Sequence, residues 1–167
     1  MTIVKQIDLF WKLVEKVFYW LSVLSLGGMT LLIFGQVLFR YVFKTPLAWS
    51  EELARFLFIW MTFVASVMAA RRGQQIKVDL LVDGLSSVGK KIIGIFANLV
   101  TTGFFGIIVY YCISLWDRLG MQSSPALQLP MSFVYLGIIL GSFFMGLHYF
   151  WSAIVLCLPK DEKENIK

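Results

Sequence analysis

Four uncharged, mostly apolar runs dominate this sequence: Val17–Phe39, Phe56–Ala70, Ile92–Trp116 and Met131–Leu158. Three of them exceed the ~18 residues at which an apolar run reads as a membrane span. Of the 167 residues, 59% are hydrophobic and 15% charged, where soluble domains carry roughly 25% charged residues. The expected fold is therefore an all-α integral membrane protein, one domain over 1–167, with spans near 17–39, 51–71, 92–117 and 131–157. Tails and loops are too short for a soluble domain. The first run is too long for a signal-peptide core and lacks an Ala-x-Ala site, so it is expected to stay as an anchor.

The net charge of +5 would suit nucleic acid, but its placement does not. Lys5, Lys12, Lys16, Arg71, Arg72, Lys77, Lys90, Lys91, Lys160, Lys163 and Lys167 all fall on one side of the expected spans. Only Arg40, Lys44 and Arg118 fall in the other two loops. The positive-inside rule then puts both termini and the 71–91 loop in the cytoplasm. The partner implied by this pattern is a lipid bilayer, not nucleic acid.

Ile3, Ile7, Phe10, Val14 and Val17 recur at helical spacing among charged residues. They fit either an N-terminal amphipathic helix lying at the interface or the end of span one. Pro46 interrupts the first outer loop, Ser50 is placed as an N-cap for span two, and Gly120–Pro130 is expected to be irregular. The 73–89 loop holds enough apolar residues for a short interfacial segment. Cys112 and Cys157 fall near opposite ends of their spans, too far apart for a disulfide.

Span two has 15 uncharged residues, Phe56–Ala70, about 22 Å of helix against a hydrocarbon layer of ~30 Å. Glu51, Glu52 and Arg55 must then sit at the outer membrane edge. They share a helix face with Thr62 and Ser66, and both carboxylates are within reach of Arg55. The opposite face, Leu53, Phe56, Leu57, Trp60, Phe63, Val64 and Val67, is assigned to lipid. Gly94, Asn98, Thr101, Thr102 and Gly106 share a face of span three; Gly137, Gly141, His148 and Ser152 share one of span four. Gly137-x-x-x-Gly141 permits close helix approach. His148, the one histidine, is read as a packing residue, since a haem would need a second strong axial ligand. No phosphate loop, metal cluster or catalytic set stands out, so no enzyme activity and no cofactor are expected. Ionisable groups deep in the spans, which ion-coupled carriers keep, are missing apart from His148.

Phe39-Arg40-Tyr41-Val42-Phe43, then Pro46-Leu47-Ala48-Trp49-Ser50-Glu51-Glu52-Leu53-Ala54-Arg55, leads on to Phe58-Ile59-Trp60. With Ile76-Lys77-Val78-Asp79 and Ser124-Pro125-Ala126-Leu127-Gln128-Leu129-Pro130, this resembles the small membrane subunit, DctQ/SiaQ-like, of tripartite ATP-independent periplasmic (TRAP) transporters. Gln75 departs from a histidine common at that position in the family. The resemblance implies a bacterial inner-membrane scaffold subunit of a sodium-coupled organic-acid importer. Its partners would be a large polytopic subunit holding the sodium and substrate sites and a periplasmic substrate-binding protein. The overall look leans to the sialic acid branch, with C4-dicarboxylates open. On this view Arg40, Trp49, Glu51, Glu52, Arg55, Thr62 and Ser66 either form the partner face or brace the subunit itself, with Arg40 within reach of the carboxylates across the first loop. Asn98, Thr102, Gly106, Gly137, Gly141 and His148 serve helix packing. The alternatives are a small self-associating exporter or channel, and a membrane anchor of a redox enzyme.

Overall fold

The computed structural model describes residues 2–45, 47–73 and 86–157, the side chains of 2–8 and 87 excepted. Pro46, the apolar part of the 73–89 loop with Gln75 and Ile76–Asp79, the C-terminal lysines, and the side chains of Ile3 and Ile7 lie outside the described residues. The helices are α1 (Thr2–Tyr41), α2 (Ala48–Arg71), α3 (Ser87–Ser114), α4 (Trp116–Met121) and α5 (Met131–Cys157). All but α4 are long and apolar enough to cross a membrane.

Helix α1 is unbroken over 40 residues, about 60 Å at 1.5 Å per residue. Its N-terminal part runs into the apolar span without a break. Trp11, Val14 and Phe18 are buried at helical spacing and join Val64, Val67, Ala70 and Met145 in one core. The helix stops where Lys44 turns left-handed (φ 56°) and the Thr45 N–H donates to the Phe39 carbonyl at 3.1 Å. Helix α2 ends on Gly73 at φ 64°, a conformation that glycine adopts without a Cβ penalty.

Helices α2 and α5 form the centre, with α1 packed on α2 and α3 packed on α5. α3 is an edge helix: its 18-residue apolar stretch has no buried residue. Contacts fix the register. Trp60 donates its indole N–H to the Phe133 carbonyl (3.2 Å), and Trp11 lies edge-on to His148 (6.1 Å) beneath Arg71. Lys91 reaches the Cys157 carbonyl at 3.5 Å. We call the end bearing loops 42–47 and 122–130 the upper end. α2 thus finishes level with His148, while α5 continues downward to Cys157.

The close crossing of α2 and α5 explains which face of α2 is buried. A Cβ on Gly137 would lie 2.8 Å from the Trp60 ring, and one on Gly141 would lie 2.6 Å from the Phe63 Cβ and 2.8 Å from its carbonyl oxygen. Phe56, Val64 and Val67 are buried, which corrects their assignment to lipid. Lipid tails and neighbouring helices are equally apolar, so hydrophobicity alone does not tell the two surroundings apart. The small residues on α5 decide it.

At the lower end Arg71 ties α1 to α2. Its Nε lies 3.5 Å from Glu15 Oε1 and its guanidinium 4.7 Å above the Trp11 ring. Both charged side chains are about three-quarters covered. A double-mutant cycle of Arg71→Met and Glu15→Gln, read by thermal melting in detergent, should return a coupling of about 1 kcal/mol. A coupling indistinguishable from zero would show that the two groups are neighbours and no more.

Candidate partner interface

The upper end of α2 starts one turn earlier than expected. Leu47 occupies the N-cap position without a side-chain bond. Ser50 lies inside the first turn, buried, with its hydroxyl donating to the Leu47 carbonyl at 2.8 Å. Ser50 is therefore not the cap. Glu51 and Glu52 still fall near the positive end of the helix dipole, where carboxylates are favoured.

The two carboxylates take different partners. Glu51 Oε1 accepts from Arg55 Nη2 at 3.1 Å, and its Oε2 lies 3.4 Å from Gln36 Nε2 of α1. Glu52 does not share Arg55. Its Oε2 accepts the backbone N–H groups of Ala126 (2.9 Å) and Leu127 (2.8 Å). Two sequence blocks 74 residues apart thus meet at one oxygen. Arg40 is exposed and makes no ion pair with either carboxylate among the described residues.

The loop that Glu52 holds has no helix or strand over 122–130, as expected, although Gly120 and Met121 belong to α4. Ser124 is buried, and its N–H donates to the Leu129 carbonyl at 2.9 Å. Its hydroxyl accepts from the Leu129 N–H at 3.2 Å, and its carbonyl accepts from the Gln128 N–H at 3.1 Å. Gln128 closes the turn at φ 54°. The Met131 N–H donating to the Gln122 carbonyl at 2.8 Å brings the two ends together. Pro125 supplies no donor, so Ala126 and Leu127 are the next N–H groups that need an acceptor.

The Glu51–Arg55 pair is exposed, with side chains 61% and 67% accessible. An exposed i,i+4 pair contributes only about 0.3–0.5 kcal/mol, so it does little for the subunit by itself. Below it, Thr62 and Ser66 donate to the Phe58 and Thr62 carbonyls at 2.8 and 2.7 Å. Their polarity is thereby spent locally and they present small surfaces outward. Trp49 is also exposed. The ion pair separates two hollows. One, of about 270 Å³, lies against α1 and includes Met29, Gln36 and Phe58. The other, of about 560 Å³, lies between α2, Pro125–Ala126 and the top of α5.

The packing residues read from the sequence take distinct places. Gly137 and Gly141 face α2, as described above. Asn98 Nδ2 donates to Ser152 Oγ at 3.3 Å across α3 and α5. Thr102 bonds back to the Asn98 carbonyl at 2.8 Å. His148 sits between Trp11 and Tyr149. Gly106 has nothing within 4 Å of a would-be Cβ, whereas Gly146, not singled out, would meet the Phe105 Cβ at 3.5 Å. Among the described residues no group of three His, Cys, Asp or Glu side chains is placed to hold a metal.

Residues 29–158 match the sequence model of the tripartite ATP-independent periplasmic transporters, DctQ component. The chain belongs to this family: it is a small permease component of a TRAP transporter, a multi-pass membrane protein of a transport system rather than an enzyme. It is 29% identical to a TRAP transporter small permease protein of Haemophilus influenzae, over 92% of this chain and 90% of that one. It is 28% identical to the ectoine TRAP transporter small permease protein TeaB of Halomonas elongata, over 76% and 67%. It is 29% identical to the sialic acid TRAP transporter permease protein SiaT of H. influenzae, over 72% of this chain and 18% of that protein. Identities this close together do not separate the substrate branches.

Proposed function

We propose that this subunit is an accessory scaffold that pairs with, and stabilises, the large membrane subunit of a sodium-coupled importer fed by a periplasmic binding protein. The observation that carries this is the outward polar stripe of α2. Its ion pair contributes little within the chain, and the stripe is left outside while the apolar face of the same helix is used up by α1 and α5. SiaT supports the pairing, because this chain corresponds to only 18% of that longer permease protein. The charge distribution favours a periplasmic upper end and cytoplasmic termini in a bacterial inner membrane. Sodium and substrate sites then belong to the large subunit. The substrate is an organic acid of the sialic acid or C4-dicarboxylate class.

Affinity-tagged chain, expressed with the large TRAP membrane subunit of the same organism, should retain that subunit through purification. Glu51→Ala/Arg55→Ala should reduce the retained amount about tenfold, the loss expected for an interface charge pair worth ~1.4 kcal/mol. Unchanged retention would remove the stripe from the interface.

A further inference from the structure

We propose that the larger upper hollow is a socket for one lysine or arginine side chain of the large subunit, an inference that rests on the pairing proposed above. The hollow combines a charged rim with an apolar floor. Glu51, Glu52 and Arg55 line the rim; Phe56, Ile59, Val134 and Ile138 line the floor. Arg55 is already engaged by Glu51. Glu52 is held through one oxygen by two neutral N–H donors, and no cation lies within ion-pair distance of it among the described residues. Two carboxylates and one guanidinium leave the rim at −1.

A rim of net negative charge is complementary to a cation on the partner. A long basic side chain matches both parts of the hollow, because its methylene stem lies on apolar surface while its head reaches the acid. A volume of about 560 Å³ admits that side chain together with the helix end or loop that carries it. An acidic or purely apolar partner would leave Glu52 without a counter-charge.

The test uses the complex with the large subunit. In a Cys112→Ser/Cys157→Ser background, Ala48→Cys places a thiol on the rim. A short maleimide crosslinker with an amine-reactive or a guanidine-reactive second end is applied, and the products are identified by mass spectrometry. The expected product joins the introduced thiol to a lysine or arginine of the large subunit, and Ile107→Cys on the exposed flank of α3 does not give it. Adducts confined to lipid amines or to a second copy of this chain overturn the socket. In parallel, Glu51→Gln/Glu52→Gln keeps an amide oxygen for the Ala126 and Leu127 N–H groups but moves the rim from −1 to +1. Retention of the large subunit should fall about tenfold or more; wild-type retention overturns the socket. If the unmodified chain retains no large subunit at all, the pairing itself is wrong and the socket falls with it.

Discussion

Gly141→Leu should prevent α2 and α5 from closing and leave little folded protein to purify. The argument rests on what a side chain at residue 141 would meet. Even a Cβ would sit 2.6 Å from the Phe63 Cβ and 2.8 Å from the Phe63 carbonyl oxygen. The carbonyl is backbone and cannot rotate away, so the helices must separate. Separation exposes Val64 and Val67, now buried. Overpacking of this kind costs about 1–3 kcal/mol for a methyl or two, and a leucine exceeds that. Alanine gains about 1 kcal/mol over glycine in an unhindered helix, so Gly141→Ala still comes out destabilising. Gly106→Ala is the control: with nothing within 4 Å it should be neutral or slightly stabilising. Thermal melting in detergent separates the two, and equal melting temperatures for Gly141→Ala and Gly106→Ala would contradict the close crossing.

Glu52→Ala should unpin the 122–130 loop. It removes the acceptor shared by the Ala126 and Leu127 N–H groups at 2.9 and 2.8 Å. Hydrogen bonds to a charged acceptor contribute about 1.5–3 kcal/mol each. Water can replace the acceptor at the exposed Ala126 N–H but less well at the half-buried Leu127 N–H, so a net loss of about 2–3 kcal/mol is expected. The measurement is amide hydrogen exchange. Exchange should speed up at 126–129 by one to two powers of ten, of the order that 2–3 kcal/mol implies, while α2 and α5 stay protected. Glu52→Gln should lose less, since an amide oxygen still accepts. Unaltered exchange at Ala126 and Leu127 in Glu52→Ala would show that the loop holds itself through Ser124 alone.

The four long apolar helices were legible because length and hydropathy suffice to find them; Gly137 and Gly141 of α5 lie where α2 crosses closely. Which helix comes close was not legible. Trp60, Phe63, Val64 and Val67 look as suited to lipid as to Gly137 and Gly141, because the two surroundings differ in shape and not in polarity. The acidic pair is plain in the sequence, but its division of labour is not. Helix spacing offers Arg55 to both carboxylates, and only the folded loop brings two N–H groups to Glu52. Arg40 lies across the first loop from both carboxylates in the sequence, but in the fold it is exposed and makes no ion pair with either among the described residues. The N-terminal pattern shows an apolar stripe but not what covers it; in the fold Trp11, Val14 and Phe18 pack into the core with α2 and α5.

The scaffold role is tested most directly by uptake into proteoliposomes under a sodium gradient, with the binding protein and a candidate organic acid supplied outside. A scaffold subunit predicts no uptake by this chain alone, and uptake when it is reconstituted with the large subunit. Substrate flux through vesicles that contain this chain and no large subunit would contradict it.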